Sequence, residues 1–164
     1  MVGAERETLK ELIQELASTL GLDASSWQDG HGRWEIYRRA ADHPGVVEKM
    51  YRAVEIEPDP SISSAAVVMM LERVDCSTRA RWVELIQPQV RKFAEIRARE
   101  LDIFESLTSP GVTVEQADLE GWSDWLQLRV AKSASDRLVL SRISEHGRTK
   151  RIRRIAADRL RADK

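Results

Sequence analysis

Placed at 3.6 residues per turn, the apolar positions of this chain fall into a succession of one-sided stripes separated by short polar breaks. Residues 5–20 put Leu9, Leu12, Ile13, Leu16 and Leu20 on one face, and Gly21 follows as a stop. Leu22 to Gly32 reads as a polar loop, with Trp27 in it the tryptophan least obviously destined for the core. A short helix is expected from about Arg33 to Asp42, with Trp34, Tyr37, Arg38 and Ala41 near one side. Pro44 restarts a helix to about Ile56, packing through Val46, Val47, Met50 and Val54, and Glu57-Pro58-Asp59-Pro60 reads as a tight turn. Residues 60–73 are apolar nearly all round, the pattern of a central helix.

The later segments follow the same rule. Residues 77–87 predict a helix with Trp82, Leu85 and Ile86 inward. Pro88 opens a long helix over 88–107, carrying Val90, Phe93, Ile96, Leu101, Phe104 and Leu107, roughly 30 Å from end to end. Ser109-Pro110-Gly111 is a stop, Thr113 with Gln116 has the form of a capping box, and a short helical turn is expected from Val114 to Leu119. A helix from about Trp122 to Lys132 would let Trp122 and Trp125 share a face.

The chain closes on a helix, a glycine and a second helix, over Ser135 to Leu160. Ile152, Ile155, Ala156 and Leu160 form the inward stripe of the last helix, while Lys150, Arg154 and Arg161 collect opposite, with Arg151 and Arg153 on the flanks. The preceding helix has a stripe at Leu138, Leu140 and Ile143, with Val139 beside it. Gly147 suits a left-handed position after it, and His146 lies at its negative end. No stretch alternates as strands do, and eight glycines and five prolines are few. The expected fold is all-α: antiparallel helix pairs stacked as a short α-solenoid or an irregular helical bundle, in a single domain over 1–164 with N-terminal helices in 1–43.

Ile152-Arg153-x-x-Ala156-x-x-x-Leu160 resembles the second helix of a HEAT repeat, where a small residue four positions after a β-branched one lets a paired helix approach closely. Upstream, Asp59-Pro60-Ser61-Ile62 leading to Ala66 and Met70 is similar, although Ser63 stands where that family favours arginine. Asp59 would accept from open backbone N–H groups, and Pro60 suits a first helical position. Ile62 and Ile152 are separated by about two HEAT/armadillo periods of ~40–47 residues. The resemblance implies HEAT-like pairs over about 44–73 and 135–162 and covers nothing between them. The alkylated-base DNA glycosylases built of HEAT-like repeats are a further resemblance, but their catalytic aspartate maps to no position here and the chain is short for them.

Charge sharpens this picture. The net charge is −1, yet residues 1–128 hold 14 Lys/Arg against 23 Asp/Glu and residues 129–164 hold 12 against 4. Such asymmetry implies an electrostatic partner for one end. A lone cysteine, Cys76, excludes an internal disulfide and fits a reducing cytoplasm. The first residues lack the apolar run of a signal peptide, and the longest strictly apolar run, Ala65 to Leu71, is far short of the ~20 residues a membrane span needs.

Candidate chemistry is sparse. Gly30-His31-Gly32 has neither the spacing nor the lysine of a phosphate-binding loop, and His31 reads as an exposed loop histidine rather than a ligand or base. The histidines at 31, 43 and 146 stand apart, with no Cys-x-x-Cys or His-x-x-x-His, and no metal or other cofactor is expected. His43, before Pro44, reads as a cap. Cys76 reads as a small packing residue before a helix rather than a nucleophile. The carboxylates Glu95, Glu100, Asp102 and Glu105 read as a solvated helix face. Five tryptophans suit core packing, with one or two available to anchor a partner.

The expectation is a non-enzymatic protein-interaction module, an adaptor or scaffold presenting a helical surface with a basic C-terminal face. Arg142, Arg148, Lys150, Arg151, Arg154 and Arg161 would form that face. Its partner would be another protein with an acidic surface or a second copy of the chain. The alternative is nucleic acid, contacted at phosphates through the same residues, against which the slightly acidic pI near 6.3 counts.

Overall fold

A computed structural model describes residues 3–108 and 119–162. Among them are nine α-helices, two single-turn 3₁₀ helices and no strand, so the all-α expectation holds. The chain divides into two compact units, residues 1–98 and 99–164. The expected turn over Val114–Leu119, its capping box at Thr113 and Gln116 and the stop at 109–111 lie outside the described residues, apart from Leu119.

In the first unit, α1 (Gly3–Leu20) buries Leu9, Ile13, Leu16 and Ala17. It ends as its sequence requires. Gly21 takes φ +67, the N–H of Leu22 donates to the Ala17 carbonyl at 2.8 Å, and that of Gly21 donates to Ser18 at 3.3 Å. Helix α2 (Gly30–Ala40) begins three residues earlier than predicted and buries Arg33, Ile36, Tyr37 and Ala40. After a 3₁₀ turn at Pro44–Val46 comes α3 (Val47–Glu55), and α4 (Pro60–Leu71) follows. Asp59 accepts from the N–H groups of Ser61 and Ile62, with Pro60 at the first helical position, as read from the sequence. Helix α5 (Cys76–Glu84) is capped by Asp75, which accepts from the Thr78 N–H. α1 packs on α2 and α3, α2 on α3 and α4, and α4 on α3 and α5.

Two readings are corrected here. Trp27 is buried, with the Arg6 guanidinium 5.7 Å from its ring centre, because the loop folds back onto the helices. Cys76 is exposed: it is the first helical residue after the Asp75 cap, where side chains turn to solvent.

The long helix α6 (Lys92–Thr108) begins four residues after Pro88, because Pro88 to Val90 forms a turn in which the Val90 N–H donates to Gln87. Its buried positions are Ala94, Glu100, Leu101 and Leu107. Val90 and Phe93, expected inward, are 55% and 59% exposed, and Ile96 is exposed with them. Phe93 lies about 100° around the helix from Ala94, whereas Leu101 falls almost in line with Ala94, seven residues on. Glu100 is likewise not on a solvated face: it is buried and accepts from the Ser123 N–H at 3.0 Å.

The second unit contains the rest of α6, a 3₁₀ turn (Leu119–Gly121), α7 (Asp124–Ser133), α8 (Arg137–His146) and α9 (Lys150–Ala162). α8 and α9 form a hairpin joined by Gly147–Thr149, and both pack on α7. The core includes Trp122, Leu126, Val130, Leu140, Ile143, Ile152 and Ala156. Trp122 precedes α7 and is buried, while Trp125 lies on it, partly buried, so the two do not share a helix face. The Arg129 guanidinium stands 5.0 Å from the Trp125 ring centre and 4.8 Å from that of Phe104.

Two details of the hairpin differ from expectation. Leu138 is 63% exposed and Val139 is buried instead. At about 100° per residue Leu138 stands about 140° from Ile143 and Val139 only about 40°. Gly147 has φ −55, not a left-handed value. A Cβ there would meet the Ile143 carbonyl oxygen at 2.5 Å and Ile152 Cγ2 at 3.0 Å, so close approach of α9 to α8, rather than backbone sign, requires glycine.

Candidate functional site

The basic face is built on the amphipathicity of α9. Ile152 and Ala156 are buried, Ile155 and Leu160 are partly so, and Lys150, Arg151, Arg154 and Arg161 are exposed on the remaining surface. Arg142 is exposed on α8. The structure divides the six expected residues into two sets.

Arg148 is engaged inside its unit. Its Nη2 donates to the Trp122 carbonyl at 2.8 Å and to that of Glu120 at 3.3 Å, and Nη1 meets Asp124 Oδ1 at 3.1 Å. Its backbone N–H donates to Gln127 Oε1 at 2.8 Å, and Gln127 Nε2 in turn donates to the Leu119 carbonyl at 2.8 Å. Arg148 thus ties the hairpin to the turn that opens α7. Arg161 pairs locally with Asp158 Oδ1 at 3.1 Å and donates to the Ala157 carbonyl. By contrast, Arg142, Lys150, Arg151 and Arg154 form no ion pair with any described residue.

Sequence reading missed a general habit of this chain, the use of arginine at helix C-termini. Arg79 is buried and donates to the Leu71 carbonyl at the end of α4. Arg91 donates to Glu84 and Ile86 carbonyls after α5, each at 2.9 Å. Arg159 donates to the Lys132 carbonyl near the end of α7, and Arg153 to Gly147 after α8. The last carbonyls of a helix lack intrahelical donors and carry partial negative charge, and guanidinium groups satisfy both. A basic run in the sequence therefore overstates the charge offered to a partner.

The sequence charge boundary also differs from the structural one. Residues 1–98 hold 13 Lys/Arg against 16 Asp/Glu, and residues 99–164 hold 13 against 11. The acidic stretch before residue 129 belongs largely to the unit that carries the basic face, and Asp124 to Arg148 is one meeting of the two.

The other candidates take ordinary places. His31 is exposed in the first turn of α2; His43 caps its 3₁₀ turn through its backbone carbonyl without a side-chain bond; His146 is exposed, 3.7 Å from Glu145. Among the described residues no group of three His, Cys, Asp or Glu side chains is placed to hold a metal ion, and no helix is long and apolar enough to cross a membrane.

A second constellation, not foreseen, lies in the first unit. The Glu57 side chain is fully buried and takes four donors: Arg33 Nε at 2.8 Å, Arg33 Nη2 at 2.7 Å, the Tyr37 hydroxyl at 3.0 Å and the Asp59 N–H at 3.1 Å. Arg33 Nη1 also donates to the carbonyls of Trp27 and Gln28. The hydrogen bond to Glu57 raises the Arg33 pKa, and burial, then the Glu57 charge, pushes the Tyr37 phenol well above its usual value. Every member is partnered, so the cluster fastens the loop, α2 and the turn into α4 together. No family model matches the chain, and neither a curated protein nor a solved structure was found to be significantly similar to it.

Proposed function

We propose that this protein is a non-enzymatic interaction module, working in the cytoplasm, whose basic surface on α8 and α9 docks an acidic surface of another protein. The observation that carries the reading is the set of exposed cations without ion pairs among the described residues, Arg142, Lys150, Arg151 and Arg154. Leu138, 63% exposed and one turn before Arg142, favours protein over nucleic acid. An exposed leucine gives a protein interface an apolar anchor, whereas phosphates have no use for it. The α-solenoid reading belongs with this proposal.

The test is a pull-down from native lysate with the wild-type chain and with Lys150→Glu/Arg151→Glu/Arg154→Glu, beside gel-shift assays on generic DNA and RNA. The expected result is an acidic protein retained by the wild type, lost from the triple variant and weakened by Leu138→Ala, with no shift of nucleic acid. A shift at ~50 mM salt that fades by ~200 mM and in the triple variant would transfer the face to nucleic acid. Equal capture by the triple variant would remove the face from the account altogether.

A further inference from the structure

The first turns of α6 bury Ala94 and show solvent a face of mixed character. At about 100° per residue, Phe93, Ile96, Lys92 and Glu95 cover an arc of about 160° whose centre lies opposite Ala94. All four are exposed, Phe93 to 59% and Ile96 to 44%. Lys92 and Glu95 stand three residues apart, close enough to pair along one helix, yet neither forms an ion pair with any described residue. The neighbouring arginines are otherwise occupied. Arg91 donates to the carbonyls of Glu84 and Ile86, and the Arg97 guanidinium stands 5.4 Å from the Phe93 ring centre. One short stretch of the first unit thus carries two exposed apolar side chains between two unpaired charges of opposite sign.

We infer that this face pairs with the same face of a second copy, α6 against α6 in opposite directions, as a two-fold symmetric dimer. Charge selects both the occupant and its orientation. A partner of one sign, acidic or basic, meets one of the two residues with its own sign. A parallel copy sets Lys92 against Lys92 and Glu95 against Glu95, and like charges repel. A copy turned end for end about a point between Phe93 and Ala94 sets Lys92 against Glu95 twice, once on each side of the axis. The same register sets Arg91 beside Ile96, Arg97 beside Val90 and Arg99 beside Pro88, so no like charges meet. Phe93 and Ile96 of both copies close between the two ion pairs. They offer roughly 200 Å² of apolar surface per copy, against the ~800 Å² that each partner gives a standard interface, so the dimer is weak and concentration-dependent. The pairing is symmetric and closes at two copies, and it leaves the basic face of α8 and α9 untouched.

The test is sedimentation equilibrium of the full-length chain from ~10 μM to ~1 mM, the range in which weak complexes form. A monomer–dimer equilibrium is expected. Lys92→Glu and Glu95→Lys each set like charges face to face and should weaken the dimer at least tenfold. The double variant Lys92→Glu/Glu95→Lys restores both pairs with their signs exchanged and should return the affinity to within about threefold of the wild type. Phe93→Ser should weaken it at least tenfold, with circular dichroism checking that each variant keeps its helix content. Lys150→Glu/Arg151→Glu/Arg154→Glu should leave it unchanged. A monomer throughout the range, species larger than a dimer, a double variant no tighter than the single ones, or a dimer lost in the triple variant would each overturn the inference.

Discussion

Replacing Glu57 by glutamine changes one atom in a buried polar site of the first unit. The carboxylate accepts at both oxygens: Oε2 from Arg33 Nε and the Tyr37 hydroxyl, Oε1 from Arg33 Nη2 and the Asp59 N–H. In either orientation of the amide, two of these four donors face an NH₂ group, and Arg33 keeps a buried charge with only the weaker pull of the Asp59 carboxylate to offset it. Breaking such a pair costs about 3–5 kcal/mol. Since the chain has two compact units, the loss should be read locally, by hydrogen exchange of amides in α2 and α4, with α7 to α9 as the internal control. The double variant Arg33→Met/Glu57→Leu removes both charges and should be less destabilised than Glu57→Gln alone. The network also gives a sign to the alkaline limb. Because the folded Tyr37 pKa is raised, its contribution is intact below the usual phenol value near 10 and is lost as pH rises beyond it. A Glu57→Gln cost below about 1 kcal/mol, or equal loss of protection in the second unit, would refute the reasoning.

Further outcomes follow from local geometry. Arg148→Lys should destabilise the second unit in urea almost as much as Arg148→Ala, by about 1–3 kcal/mol, because an ammonium cannot reach two carbonyls and Asp124 together. Gly147→Ala should lower the melting temperature of that unit despite its ordinary φ, with a cost of about 1–3 kcal/mol, since the new Cβ presses on the Ile143 carbonyl and Ile152. The Glu35 carboxyl, held down by hydrogen bonds from Arg38 and then Arg39, should titrate at about 2 by carbon-detected NMR and rise towards 4.5 in concentrated salt. Its folded pKa is depressed, so whatever stability it lends is present above the unfolded value and lost as pH falls towards 2.

Helix identity was legible because it depends on near neighbours. The stripe of α1 with its Gly21 stop, the Asp59-Pro60 entry to α4 and the Ile152–Ala156 face of α9 are set by side chains within a few residues of one another. Errors arose where a second element chose between faces. Leu138 and Val139 are equally apolar, and the packing of α8 on α7 and α9 decided which went inside. Val90 and Phe93 resemble core residues of one helix, but Val90 lies in the turn after Pro88, which sets the phase of α6, and both are left exposed.

The candidate site divides in the same way. The number of basic residues after position 128 is a property of composition. Which of them stay uncommitted is not, because Arg148, Arg153 and Arg159 are claimed by carbonyls that only the assembled helices bring within reach. Arg33 and Glu57, 24 residues apart, left no periodic signal at all, since a charge pair across a fold has no spacing rule. Periodicity by itself determined that the described residues are helical and where each of their helices starts and stops, to within a few residues. Tertiary structure alone decided which cations and which apolar side chains remain exposed, because burial and pairing are set by groups distant along the chain and adjacent only after packing.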